Sequence, residues 1–350
     1  MTATYRAGLV GCGRMGATID DEVRDRPNAH LYLPYSHAAA IVACERTELV
    51  AVSDPVAEKA ETIGERYGAG AVYADHRAMI DAEGLDIVAV ATRPGPHAEI
   101  VTYAAEKGVK GIYCEKPLCN AVHEMDTMLD ACRQHGVKFN YGTQRRYAAL
   151  YRNARKMIED GEIGDVQAIV GHCGISAAQW GLTHAADMLL FLAGDGEVDF
   201  VQGTALAEEA DWQGDTLKKD AGISSGYVRF KSGVHAYLVG AGGWEFEISG
   251  TKGKLRTLGN GMGYSLRKLD DQGELREADS PEAVVESGTL RGVEDLVRAL
   301  DEDGEPLGNL TLACRSQEII FGMVESHRRG GARVSLPLAN RSLAIAPDHY

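Results

Sequence analysis

A chain of 350 residues has room for two domains of ordinary size, and 45% hydrophobic with 25% charged residues is the balance of a soluble globular protein. The formal charge of -15 repels nucleic acid and anionic membrane surfaces, so neither is expected as a partner, although a local basic pocket for a small anion is still allowed. The seven cysteines are odd in number and form no C-x-x-C pair, which fits reduced thiols in a cytoplasm better than a disulfide framework or a zinc site.

No apolar run reaches the roughly 20 residues of a membrane span, and Met1–Arg6 carries no signal-peptide core before its charge. Tyr5 to Val10 reads as a buried strand that runs into Gly11-Cys12-Gly13-Arg14-Met15-Gly16. A G-x-G-x-x-G turn after a strand is a dinucleotide-binding candidate, because glycines let the backbone approach a pyrophosphate at a helix N-terminus. A glycine-rich turn without a ligand is the plainer alternative.

Residues 17 to 35 hold six acids and bases in close succession (Asp20, Asp21, Glu22, Arg24, Asp25 and Arg26) together with Pro27 and Pro34, a composition that no helix tolerates throughout. The helical pattern resumes at Ser36-His37-Ala38-Ala39-Ala40-Ile41. A second strand, Leu49 to Ser53, ends in Asp54, which lies 38 positions past Gly16. A dinucleotide unit places its ribose-binding acid about 20 residues on. Removing roughly 18 residues restores that spacing, so 17–35 reads as a loop inserted into the first strand–helix unit. It is expected either as a lid on the ligand side or as a surface excursion. Asp54, with no arginine directly after it, favours NAD over NADP, since a carboxylate binds a ribose hydroxyl and repels a phosphate.

The alternation continues with a helix over 55–67, a short strand over 71–73 and a helical turn over 77–81. An apolar strand over 85–91 then leads into Thr92-Arg93-Pro94-Gly95-Pro96-His97. A helix over 98–107 precedes the strand Val109 to Cys114, which meets Glu115-Lys116-Pro117. A helix over 121–135 and a strand over 137–142 complete a parallel sheet with helices on both faces. Pro117 ends ladder pairing, so Glu115 and Lys116 sit at the carboxyl end of a strand, where open parallel sheets bind their ligands.

The sequence resembles the glucose–fructose oxidoreductase / inositol dehydrogenase (Gfo/Idh/MocA) family in G-C-G-R-M-G, in A-T-R-P-G-P-H at 91–97 and in Cys114-Glu115-Lys116-Pro117. Gln144-Arg145-Arg146-Tyr147 and Thr183-His184-Ala185-Ala186-Asp187 extend the likeness over roughly the first 190 residues. The resemblance implies an N-terminal Rossmann domain, taken as 1–145, and a C-terminal domain over 146–350 built on a large, mainly antiparallel open sheet. Residues near the C-terminus are expected to pack back on the first domain. It implies NAD(P)-dependent oxidation or reduction of sugars and cyclitols. Gly11, Gly13, Arg14, Met15, Asp54, Thr92, Arg93, His97, Glu115 and Gln144 are then the cofactor-binding candidates. Lys116 and His184 are the catalytic candidates, and Arg146, His172, Trp180 and Thr183 would face the substrate. No metal is implied. The family often has an Asp four residues before its histidine, and that position here is Trp180.

The chemistry asks for such groups. Hydride loss from a carbinol carbon requires loss of the hydroxyl proton to a base within hydrogen-bond reach. A lysine beside oxidised nicotinamide is a suitable base or carbonyl-polarising acid, and a histidine can share the proton.

Beyond a helix over 148–160, strand-like segments over 166–175, 200–204, 225–230, 235–239, 244–249 and 254–258 are separated by tight turns, which favours antiparallel pairing. Helices are expected over 183–192, 292–300 and 310–328, the last with a packed face of Ile319, Ile320, Met323 and Val324. Trp180, Trp212 and Trp244 could stack on a sugar ring or pack a core or interface. A broad sheet face would suit a homodimer or homotetramer. The leading expectation is an NAD-dependent oxidoreductase acting on a secondary alcohol of a sugar, sugar acid or cyclitol. The alternatives are an NAD-dependent glycoside hydrolase working by transient oxidation and a non-catalytic NAD-binding sensor.

Overall fold

The computed structural model describes residues 4–282 and 286–347. They fall into two compact units: unit one comprises the chain up to Asn120, Glu124–Tyr147 and Glu286–Ala313, and unit two the remainder.

Unit one is an α/β unit on a six-stranded parallel sheet. Its strands are β1 (Tyr5–Val10), β2 (Thr47–Ser53), β3 (Ala71–Tyr73), β4 (Ile87–Val90), β5 (Gly111–Cys114) and β6 (Lys138–Tyr141). They lie in the order β3-β2-β1-β4-β5-β6. The order reverses direction between β1 and β4, and a crevice opens beyond the strand ends at that switch point. β4 and β5 are buried at every residue, as continuous apolar strands of a sheet covered on both faces must be. The covering helices include α1 (Ile19–Val23), α2 (His37–Ala43), α3 (Ala57–Tyr67), α4 (His76–Glu83), α5 (His97–Glu106) and α6 (Val122–His135). From far along the chain, helix Gly288–Glu302 adds Val293, Leu296 and Val297 to the cluster formed by Leu9, Ile41, Val52, Ile87 and Tyr113.

The stretch expected as an inserted loop is partly helical. A single π-turn over Arg14–Thr18 continues into α1, and a short 3-10 turn covers Ala29–Leu31. The acids that argued against a helix throughout sit in the first turn of α1, where Asp20, Asp21 and Glu22 oppose the positive end of the helix dipole.

Unit two carries α7 (Ala149–Glu159), α8 (Thr183–Leu192) and the larger sheet. Its strands begin with β7 (Val166–His172), β8 (Ser176–Ala177), β9 (Val198–Ala205), β10 (Trp212–Gln213) and β11 (Thr216–Leu217). β12 (Gly222–Phe230), β13 (His235–Val239), β14 (Glu245–Gly250) and β15 (Gly253–Leu258) follow. β16 (Gly263–Leu269), β17 (Leu275–Ala278), β18 (Val334–Ser335) and β19 (Ala344–Ile345) complete the set. The sheet runs β17-β16-β15-β14-β7-β13-β12-β9-β18, with β8 paired beside β12. The pairing of β7 with β13 is parallel, and the other neighbours along that path are antiparallel. Ile319, Ile320, Met323 and Val324 are wholly buried, as the apolar face of 310–328 requires.

A candidate dinucleotide and proton-transfer site

Beyond β1 the chain turns at Gly11, whose φ of +96° and whose would-be Cβ 2.8 Å from the Ala91 carbonyl oxygen exclude any side chain. Gly16 is tighter still, because a Cβ there would lie 1.9 Å from the Gly11 carbonyl oxygen. At Gly13 a Cβ would meet nothing within 4 Å. The turn is therefore closed at its two ends, by the Ala91 carbonyl beyond β4 and by its own Gly11 carbonyl, and open at its middle glycine. A diphosphate needs that open face to approach the main chain, so these residues fit a dinucleotide.

Asp54 follows β2 and is buried beside this turn. Its Oδ2 accepts the Cys12 N–H at 2.9 Å and its Oδ1 the Val56 N–H at 2.9 Å. The expected ribose acid thus also fixes the glycine turn, and each of its oxygens keeps a further lone pair for a ribose hydroxyl. Burial, seconded by the Asp54 charge, pushes the neighbouring Cys12 thiol up to about 12, so that sulfur stays protonated. Arg14 is exposed and pairs with Glu22 at 2.7 Å, which holds its guanidinium along α1.

The β4 end carries Thr92, Arg93 and His97. Thr92 and Arg93 reach solvent, whereas His97 is wholly buried between two main-chain oxygens, those of Leu118 and Thr92, each at 3.2 Å. Burial lowers its pKa, so the ring is neutral and its single N–H serves one carbonyl at a time. His97 joins the β4 and β5 turns and thereby shapes the wall of the crevice.

At the β5 end, Glu115 is 4% exposed. Its Oε2 accepts the N–H of Lys116 at 3.0 Å, and its Oε1 meets His37 Nε2 at 3.1 Å. Burial works to raise the Glu115 carboxyl, but the His37 hydrogen bond and the Lys116 charge outweigh it and hold the group below the ordinary glutamate value. An ionised carboxylate only accepts, so Nε2 of His37 carries the hydrogen. The His37 ring is wholly buried and stacks on Tyr113 at 4.6 Å between centroids. The carboxylate beside Lys116 is therefore fixed at both oxygens, and with it the peptide from which the lysine projects. Neither His37 nor its link to Glu115 was expected. A histidine inside an Ala-rich helical run reads as core, and only its contact across 78 positions distinguishes it.

Gln144 and Arg146 lie on the turn Gln144–Tyr147 after β6. Gln144 Nε2 donates to the Tyr35 hydroxyl at 2.9 Å. Arg146, expected to face a substrate, is wholly buried and donates to the Leu307 carbonyl at 3.2 Å, which places its guanidinium in the packing of unit one.

In unit two, α8 is buried at every position except His184. An apolar helix buried all round with one part-exposed imidazole in its first turn presents that ring and little else. Thr183 is wholly buried, with its hydroxyl donating to the Gln179 carbonyl at 3.0 Å. Trp180 is 44% exposed, and the Asp220 carboxylate accepts the N–H groups of Gln179 at 2.8 Å and Trp180 at 2.9 Å. An acid thus does reach this turn, from the connection between β11 and β12, and it binds the main chain. His172 ends β7, with its carbonyl accepting the Trp244 N–H at 2.9 Å.

Comparison with known proteins agrees with this geometry. Residues 5–143 match the family described as oxidoreductase family, NAD-binding Rossmann fold. The chain is 29% identical over 165 residues to scyllo-inositol 2-dehydrogenase (NAD(+)) of Bacillus subtilis (strain 168), covering 47% of this chain and 43% of that protein. It is 38% identical over 122 residues to 2,7-anhydro-N-acetylneuraminate hydratase of Mediterraneibacter gnavus, covering 35% and 32% respectively. These matches span less than half the length of either relative. In solved structures, the aldose-aldose oxidoreductase from Caulobacter crescentus shares the fold, with a TM-score of 0.74 at 21% identity over 95% of this chain and 100% of that one. In its glycine turn, its strand order and its match over residues 5–143, the first part of the chain is similar to the NAD-binding Rossmann fold of that oxidoreductase family.

Proposed function

We propose that the protein is an NAD-dependent oxidoreductase that transfers a hydride between nicotinamide and a secondary alcohol or ketone of a sugar, sugar acid or cyclitol. The observation that carries this reading is the buried His37–Glu115 pair, which fixes the Lys116 peptide at the end of β5, two strands from the glycine turn after β1. NAD held by the glycine turn and Asp54 would supply the hydride acceptor. Lys116 then takes the hydroxyl proton on its amine as the carbinol carbon is oxidised, and returns it in the reverse direction. The reading assigns His184 the second proton-handling role, as the part-exposed imidazole of α8. Asp54 already receives two main-chain N–H groups and favours a ribose diol over a 2′-phosphate, which supports NAD rather than NADP. The test is a panel of polyols, aldoses and sugar acids followed by NADH absorbance, with Lys116→Ala as control. NADH formation that survives this substitution undiminished removes Lys116 from its role.

A second reading is supported by Trp180 standing where the family often has an acid, and by the relative named as a hydratase. In that reading oxidation is transient, and product forms with no net NADH. Self-association belongs to the same proposal. Tyr227, Tyr237 and Leu238 line a shallow depression of about 380 Å³ on the unit-two sheet, a face suited to a second copy.

A further inference from the structure

We propose that Tyr35 is a cofactor-recognising residue, its phenol donating a hydrogen bond to an acceptor oxygen at the nicotinamide end of the dinucleotide. This rests on the dinucleotide reading above and adds to it a residue from the 17–35 excursion.

The excursion is fixed at both ends. Asp20 accepts the N–H groups of Tyr35 and Ser36, one on each carboxylate oxygen and each at 2.9 Å. Tyr67 donates its hydroxyl to the Ala17 carbonyl at 2.8 Å, and Arg66 binds Asp21 through two nitrogens at 2.6 and 2.9 Å. Its returning limb is tied to residues distant in sequence. The Ser287 hydroxyl donates to the Pro34 carbonyl, and Gln144 Nε2 donates to the Tyr35 hydroxyl at 2.9 Å. Gly288 lets these segments close up, since a Cβ there would lie 2.4 Å from the Gln144 carbonyl oxygen. Tyr32 stacks on Tyr35 with centroids 5.4 Å apart and sets the ring plane. The excursion therefore acts as a strap that carries one phenol to the carboxyl end of β6.

That phenol has a hydrogen to give. Burial raises its pKa, so it is protonated across the working range. Its oxygen accepts from Gln144, and among the described residues no acceptor takes its own hydrogen. A part-buried donor beside a ligand crevice points to a ligand acceptor.

The strand order says which end of the dinucleotide is near. The glycine turn and Asp54 stand beyond β1 and β2, the half that takes the adenine mononucleotide. The second mononucleotide lies over β4, β5 and β6, and Tyr35 stands at β6 with Glu115 close enough to act on its charge. The acceptor is then an oxygen of the nicotinamide half, for which the carboxamide carbonyl is the available group.

The experiment compares NADH with ADP-ribose, which lacks the nicotinamide, by calorimetric titration of the full chain and of Tyr35→Phe. The substitution keeps the stack on Tyr32 and removes only the hydroxyl. The expected result is a roughly 3- to 10-fold weaker affinity for NADH with ADP-ribose affinity unchanged, the effect of one hydrogen bond. Unchanged affinity for both ligands overturns the inference. An equal loss for both also overturns it, since the hydroxyl then only holds the strap. A wild-type chain that binds neither ligand contradicts the dinucleotide reading itself, and this inference with it.

Discussion

His37→Ala tests how Glu115 and Lys116 are held. The ring is wholly buried, lies 3.1 Å from Glu115 Oε1 and stacks on Tyr113 at 4.6 Å. Its removal deletes a hydrogen bond to an ionised acceptor, worth about 1.5–3 kcal/mol, and opens a cavity under α2. Together these predict a loss of about 3 kcal/mol or more of unfolding free energy at neutral pH. The pH dependence has a definite sign. The folded-state pKa of Glu115 is depressed, so its contribution is present above the unfolded carboxyl value of about 4.3 and is lost as pH falls through the lower folded value. Without His37, burial acts with less opposition and raises the folded carboxyl, so the variant's deficit is largest at neutral pH and shrinks as pH falls. Urea unfolding followed by circular dichroism at neutral and mildly acid pH measures both effects, with His37→Gln as a variant that keeps a donor and loses less. Fluorescence is the poorer probe, because Trp180, Trp212 and Trp244 all lie in unit two. A His37→Ala protein as stable as wild type, with the same acid limb, refutes the reasoning.

Other expectations concern the strap and the glycine turn. Asp20→Ala leaves the N–H groups of Tyr35 and Ser36 without their acceptor, and about 1–2 kcal/mol is lost locally. Trypsin should then cut faster after Arg24, and equal cleavage rates in variant and wild type count against a pinned strap. Asp54→Ala removes the acceptor of the Cys12 N–H as well as the proposed ribose partner. Affinity for NADH should fall about tenfold or more, and discrimination against NADPH should shrink. An unaltered preference between the two cofactors places the ribose contact elsewhere.

Much of unit one is legible in the sequence because parallel strands buried on both faces are written as unbroken apolar runs. Ile87–Val90 and Gly111–Cys114 fall inside the segments expected. In unit two, β12 to β15 are legible because tight turns at Lys231-Ser232-Gly233 and Gly250-Thr251-Lys252-Gly253 separate them. β16 and β17 are not legible because their charged residues hide the alternation, and two-residue strands such as β18 have no pattern to show. At the site, motif residues such as Asp54 and Glu115 could be named from spacing and likeness. The residues around them could not: His37 reaches Glu115, and Asp20 and Tyr35 tie the excursion, through contacts that only the folded chain makes. Arg146 shows the converse, since membership of a motif did not reveal that its guanidinium is buried.

In the proposed mechanism Lys116 handles the proton while the turn after β1 holds the cofactor. Lys116→Met separates the two roles. NADH formation on a polyol panel including myo-inositol and scyllo-inositol, measured beside NADH affinity, is predicted to fall by about 10²- to 10⁴-fold with affinity unchanged. A Lys116→Met protein that turns over the same polyol at the wild-type rate contradicts the account.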